Sequence, residues 1–276
     1  MQSMLEYKPK QRSSIRLRMG KAYYRSRRYI KWMKLRKQFV SKRLAAPLPY
    51  RTAHHKTPLY RELHQVDRSV QEAKVNNLHI AVKQLHQIVL HPGEVFSYWR
   101  LIGKPTKKKG YQDGMILYCG QMKLGIGGGL CQLSNLIYWI TLHSPLEVVE
   151  RYRHSYDVFP DAKRTQPFGS GATCAYNYLD LMIKNPTEES YQLWLEIGDT
   201  ELSGEWRSSS PARYQYVIEE HNHRMTLEPW GGYMRHNELI RQRYTLDGAW
   251  IDEEKITENH ALMMYAPLLG EQSTST

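Results

Sequence analysis

Cysteine is scarce in this 276-residue chain: Cys119, Cys131 and Cys174 are an odd number with no C-x-x-C pair. That excludes a disulfide framework and offers no metal-ligand spacing, so neither a metal nor a cofactor is expected. No run of about 18 apolar residues occurs, which excludes a membrane-spanning helix. The opening residues lack the apolar stretch of an export signal, because Arg and Lys break it throughout. A cytoplasmic protein is therefore the expectation, touching the inner membrane face at most. Acidic residues are nearly missing from residues 1–43, where Glu6 stands against fifteen Lys and Arg. The whole chain has 39 basic and 27 acidic residues, which leaves 24 and 26 for the rest. The basic character thus belongs to the N-terminal arm, and the body is close to neutral. No internal repeat and no RNA- or DNA-reading motif is present, so nucleic acid is not an expected partner. Oligomeric state is not legible.

What is present fits a globular protein, with 41% hydrophobic and 24% charged residues. Residues 13–43 predict a basic amphipathic helix, with Ile15, Met19, Ala22, Ile30, Met33 and Val40 roughly on one face. Such a helix suits an anionic membrane surface; the alternative is a helix packed on the body by that face. Pro47, Pro49 and Pro58 mark a connector. Val75, Leu78, Val82, Leu85 and Val89 predict a helix from about Ser69 to Leu90, stopped by His91-Pro92-Gly93. A short strand over Glu94–Trp99 follows. A hairpin over Met115–Tyr118 and Gln121–Leu124 turns at Cys119-Gly120. Cys131 to Leu142 reads as helix, with Leu133, Leu136, Ile137 and Ile140 on its apolar face. Strands are expected at Leu146–Tyr152, Cys174–Ile183, Leu193–Ile197, Tyr214–Glu219 and Leu239–Tyr244, with an Asp247-Gly248 turn.

The fold class is therefore α+β: N-terminal helices, then a mixed, mostly antiparallel β-rich core with the Cys131 helix packed on it. Five regions are expected. Residues 1–45 form the helical arm, 46–68 the connector and 69–200 the core domain. Residues 201–270 form a β-rich C-terminal extension and 271–276 a disordered tail.

Gly125-Ile126-Gly127-Gly128-Gly129-Leu130-Cys131 concentrates four glycines in five positions ahead of a helix. Such a cluster marks a sharp bend or a close backbone approach. A cysteine at a helix N-terminus lies beside unpaired N–H groups and the positive dipole end, which favour thiolate.

Several ordered stretches resemble the VanW family. They are Pro92-Gly93-Glu94-Val95-Phe96-Ser97, Gly110-Tyr111, and Gly125 through Ser134. Glu150-Arg151 with His154-Ser155, Pro167 to Thr173, and Asp180-Leu181 with Asn185 continue the series, and Tyr233-x-Arg235-x-Asn237-Glu238 ends it. The resemblance implies a role in glycopeptide resistance and cell-wall precursor metabolism, without implying a reaction. Many secreted relatives carry Asp where this chain has Gly171.

Three readings of the glycine–cysteine segment remain open. In the first, Cys131 attacks a carbonyl of a cell-wall peptide as a hydrolase or acyltransferase nucleophile, with His154 as base. Asp157 or Asp180 orients the imidazole, and the Gln132 amide or nearby N–H groups hold the oxyanion. In the second, the loop binds a ligand without chemistry through Gly127, Gly128, Gly129 and Ser134, since anions suit helix N-termini. No Walker-type Lys-Ser/Thr follows, which argues against a nucleotide. In the third, the glycines only let the loop tuck in, and Cys131 is a small buried hydrophobe. Cys119 and Cys174 read as packing residues, and His79 and His86 as partly exposed surface. His221-Asn222-His223 places two imidazoles along a strand without a third metal ligand. Trp230-Gly231-Gly232-Tyr233 reads as a turn that lines a groove or simply packs.

Overall fold

A computed structural model describes residues 13–60, 67–118, 121–158 and 166–265. The expected disordered tail at 271–276 and the turn at Cys119-Gly120 lie outside them. The element order is α1 (Ser14–Lys34), β1 (Tyr50–Pro58), α2 (Arg68–Leu85), β2 (Val89–Leu90), β3 (Val95–Ser97), α3 (Tyr98–Ile102), β4 (Asp113–Tyr118) and β5 (Gln121–Ile126). It continues with α4 (Cys131–Leu142), β6 (Glu147–Glu150), β7 (Tyr156–Asp157), β8 (Met182–Lys184), β9 (Tyr191–Ile197), β10 (Glu201–Ser208), β11 (Gln215–Leu227), β12 (Tyr233–Tyr244) and β13 (Trp250–Met263). The class is α+β with mostly antiparallel strands.

Four sheets result, ordered β1-β10-β9-β2, β11-β12-β13-β7, β3-β8-β6 and β4-β5. One apolar core joins α2, α3 and α4 to the first and third sheets. Leu78, Leu85, Phe96, Tyr98, Leu133, Leu136, Ile137 and Trp206 lie at its centre. The buried face of α2 follows helical spacing through Leu78, Ala81, Val82 and Leu85. Asp67 caps that helix by accepting from the Ser69 N–H at 3.0 Å.

The expected helix to Leu90 stops instead at Leu85. The chain turns at Gln87, which has φ 69°, and the Gln87 N–H donates to the Leu193 carbonyl at 2.8 Å. Val89 and Leu90 then pair with β9 as a strand. The expected connector contains β1, which pairs along β10, so the prolines border a strand. The stretch from Cys174 is mostly not strand: Ala175 and Leu179 bond to each other across a tight loop, and β8 starts at Met182.

The N-terminal helix is shorter than expected. It ends at Lys34, and Phe39 and Arg43 then bridge to Val95 and Ile88. Its buried residues are Arg28 and Trp32, not the predicted apolar face. Arg28 forms a two-pronged ion pair with Glu150 and donates to the Tyr178 carbonyl at 3.1 Å. Lys31 joins the same carboxylate. Burying a guanidinium is tolerated because its partner is buried with it.

Candidate functional site

The glycine loop is a backbone seam. Gly114 in β4 and Gly128 lie face to face: a Cβ at Gly114 would stand 2.7 Å from the Gly128 carbonyl oxygen, and one at Gly128 would overlap the Gly114 carbonyl group. Only hydrogen fits on either side. The amides of Gly127, Gly128 and Gly129 donate to the carbonyls of Gln112, Gly125 and Met115 at 3.0, 3.0 and 2.9 Å. Asn77, fully buried on α2, clamps the seam. Its Nδ2 donates to the Gln112 and Gly128 carbonyls at 3.0 Å each, and its Oδ1 accepts from the Gln112 N–H at 2.8 Å. An anion seeking these three glycine amides would have to displace bonds already made.

Cys131 begins α4 directly after the seam. Its Sγ donates to the Cys174 carbonyl at 3.8 Å. Burial pushes the Cys131 thiol up, and pushes the Cys174 thiol well up. Desolvation thus works against the thiolate that a helix N-terminus favours. The first turn of α4 is sewn to the adjacent segment. Ser134 Oγ donates to the Ala172 carbonyl at 2.7 Å, and Asn135 Oδ1 accepts from the Ala172 N–H at 2.7 Å. Gln132 Nε2 donates to Thr57 Oγ1 and the Pro58 carbonyl, both at 2.9 Å. Tyr98, buried in α3, donates to the Leu130 carbonyl at 2.9 Å.

The remaining site residues have other partners. His154 is partly buried, and desolvation lowers its pKa, so its imidazole is neutral at pH 7. Among the described residues no hydrogen bond joins it to Cys131. Asp157 accepts from Tyr265 Oη at 2.8 Å and from Arg235 Nη1 at 3.4 Å. Asp180 is fully buried and accepts from Ser97 Oγ at 2.6 Å and from the Trp99 and Leu181 amides at 2.9 and 3.0 Å. Arg28 Nη1 lies 3.9 Å away. Burial nevertheless pushes Asp180 up to about 6, against the pull of these donors. The structure therefore brings together Cys131, Gln132, Ser134 and the glycine loop, while Asp157 is held by Tyr265 and Arg235 and Asp180 by Ser97 and two backbone amides.

A family model for VanW-like proteins matches residues 73–207. The vancomycin B-type resistance protein VanW of Enterococcus faecalis (strain ATCC 700802 / V583) is 32% identical over 219 residues, 79% of each chain. The chain belongs to the VanW family. The uncharacterized protein YoaR of Bacillus subtilis (strain 168) is 29% identical over 117 residues, 42% of this chain and 37% of that one. No solved structure matches.

VanW-like motif residues that no catalytic reading used converge in space. Arg151 is half-buried, and among the described residues no carboxylate pairs with it. Its Nε donates to the Gly171 carbonyl at 2.9 Å, its Nη2 to the Gly169 carbonyl, and its guanidinium lies 4.8 Å from the Tyr138 ring. Arg235 packs 4.8 Å from the Phe168 ring while it holds Asp157. Asn237 Nδ2 donates to the Phe168 carbonyl at 2.7 Å, and Asn259 Nδ2 donates to Asn237 Oδ1 at 2.8 Å. The motif stretches around residues 150, 168 and 235 are thus one polar joint between the core and the C-terminal sheet. Gly171 sits inside it, and a Cβ there would stand 3.1 Å from Asn135 Oδ1. The motifs were visible in the chain, but only the fold shows that they meet.

A groove of about 530 Å³ runs between this VanW-type core and β11–β13. Tyr191, Tyr214 and Tyr216 line it with Arg213, Arg241 and Arg243. Arg241 lies 5.2 Å from the Tyr216 ring and Arg243 4.9 Å from that of Tyr214. Arg243 Nε donates to Asp252 Oδ1 at 2.9 Å, and Arg213 pairs with Glu189 at 2.7 Å. The β11–β12 wall thus carries two rings covered by guanidinium groups, and the groove holds charges of both signs. No motif announced this groove, because its walls come from strands up to 200 residues apart; the only trace is Tyr–Arg alternation near residues 213–216 and 241–244.

The other candidates have local partners. His86 is structural: its Nδ1 accepts from the Leu195 N–H at 3.1 Å, and its ring packs 4.5 Å from Trp194. A bulge at Asn222, with φ 53°, interrupts the strand between His221 and His223. His221 bonds Glu219 at 3.0 Å, and His223 accepts from Arg235 Nε at 3.0 Å. Among the described residues no three His, Cys, Asp or Glu side chains converge as a metal site would.

Proposed function

We propose that this protein serves glycopeptide resistance as a cytoplasmic accessory protein that binds a cell-wall precursor or peptide without transforming it. The resistance setting rests on likeness to the Enterococcus faecalis protein. The non-catalytic part rests on one observation: the Cys131 thiol donates to the Cys174 carbonyl, in surroundings that disfavour the thiolate. We place the peptide in the groove lined by Tyr191, Tyr214 and Tyr216, where its charged ends would exchange with the Arg213–Glu189 and Arg243–Asp252 pairs.

The competing reading, a Cys131/His154 hydrolase or acyltransferase, has one supporting observation, the neutral and base-competent His154. Thiol labelling across pH separates the two in wild type, Cys131→Ser and His154→Ala. Binding without chemistry predicts slow labelling near pH 7 that His154→Ala leaves unchanged. It also predicts a vancomycin inhibitory concentration in cells that Cys131→Ser leaves unchanged. One fast thiol at neutral pH, lost in both variants together with the resistance phenotype, would establish the nucleophile and refute the accessory role.

A further inference from the structure

The N-terminal helix carries an apolar stripe that the body does not cover. At 3.6 residues per turn, Ile15, Met19, Ala22, Ser26, Ile30 and Met33 fall within about 80° of the α1 circumference. Ile15 is 69% exposed, Met19 68%, Met33 65% and Ile30 48%. The docked residues Arg28 and Trp32 lie about 140° around the helix from the stripe's centre. Attachment to Glu150 therefore turns the stripe outward. From Ser14 to Arg27 no residue of the helix is buried. A surface helix of a globular protein ordinarily turns such a stripe inward.

The stripe's borders identify what covers it. Arg18 and Arg25 flank one edge, and Arg16, Arg27 and Lys34 the other. Tyr29 and Tyr23 stand between stripe and charge, and both are exposed. The helix has eight Lys and Arg and no acid. An apolar centre, aromatic shoulders and a cationic rim match the depth profile of an anionic bilayer: acyl chains, then interface, then phosphates. Nucleic acid would satisfy the rim and leave the stripe in water. A second copy docked stripe to stripe would set cationic rims against each other with no carboxylate between them. Eight charges also make the helix too polar to span, and no described helix is long and apolar enough to cross a membrane.

We infer that α1 lies in the headgroup plane of an anionic membrane and holds the body there through Arg28, Lys31 and Trp32. This inference stands independently of whether Cys131 is a nucleophile.

The test is flotation of the full chain with phosphatidylcholine vesicles, neutral or with about a third of the lipid replaced by phosphatidylglycerol. Binding to the anionic vesicles alone is expected, falling as salt rises. Two variants spare the docking residues: Ile15→Ser/Met19→Ser/Ile30→Ser/Met33→Ser and Arg16→Gln/Arg18→Gln/Arg25→Gln/Arg27→Gln. Each should weaken partition about tenfold or more, while circular dichroism and thiol labelling stay unchanged. Undiminished binding by the stripe variant would overturn the inference. So would a wild-type dimer that the stripe variant dissolves, or tight binding to duplex DNA or an acidic protein with no affinity for vesicles. The labelling experiment reports on the Cys131 reading alone, so the two proposals fail separately.

Discussion

Two helices of this protein have comparable apolar stripes and opposite fates. In α4, Leu133, Leu136, Ile137 and Ile140 are buried in the core. In α1, the stripe faces away from the body and the ion-paired Arg28 faces inward. Periodicity identifies a stripe in both, but it does not say what covers it. The flanking residues do. Beside the α4 stripe stand Ser134, Asn135 and Thr141, short polar groups that reach the Ala172 carbonyl, accept from the Ala172 amide and accept from the Trp206 indole. Beside the α1 stripe stand long cations with no acid in reach along the helix. The first border is made for a protein interior and the second for a charged surface.

The contrast breaks most directly in urea unfolding. Leu136→Ala should cost about 2–5 kcal/mol, because α4 is packed on every side of that residue. Ile30→Ala in α1 should stay within about 0.5 kcal/mol. Equal costs would mean that the α1 stripe packs on the body after all. The next largest effect is expected at Gly128→Ala, about 3 kcal/mol, since neither the seam nor Gly114 opposite it can yield space for a methyl.

A smaller effect concerns how α1 is held. Burial would raise the Glu150 pKa, but hydrogen bonds from Arg28 and Lys31 outweigh it and hold the carboxyl below its usual 4.5. A depressed carboxyl stabilises the docked state above its unfolded pKa and loses that contribution as pH falls through the folded value. The last turns of α1 should therefore loosen below about pH 4.5, before the core unfolds. Trp32 fluorescence should report it, and Glu150→Gln should remove the acid transition. A Trp32 signal that moves only with global unfolding would show that apolar packing, not the ion pair, holds the helix.

Local signals predicted local structure well. The α4 limits, the β4–β5 hairpin and the Asp247-Gly248 turn followed from spacing and turn residues, and Gly248 has φ 92° as such a turn needs. What escaped the sequence depends on partners far along the chain. β1 is a strand because β10, some 150 residues later, pairs with it. Val89-Leu90 leaves the helix because β9 offers an edge. Arg28 is buried because Glu150, 122 residues later, meets it with a carboxylate. At the site, the glycines single out the segment around Cys131, and its thiol bonds a carbonyl 43 residues downstream. A pairing of Cys131 with His154 rests on order along the chain, and order does not aim a lone pair. The joint of Arg151, Arg235 and Asn237 needed three motifs to be superimposed in space.

The seam between Gly114 and Gly128 makes the β4–β5 hairpin and α4 one mechanical piece. Its apolar residues Met122, Leu124 and Ile126 are exposed, while its base is locked through Asn77 and three amides to the start of the Cys131 helix. With no side chains between the two backbones, the hairpin base and the start of α4 are one rigid unit, and the rest of α4 is anchored in the core. The hairpin is thus a rigid apolar fin that stands out from the buried helix that carries Cys131.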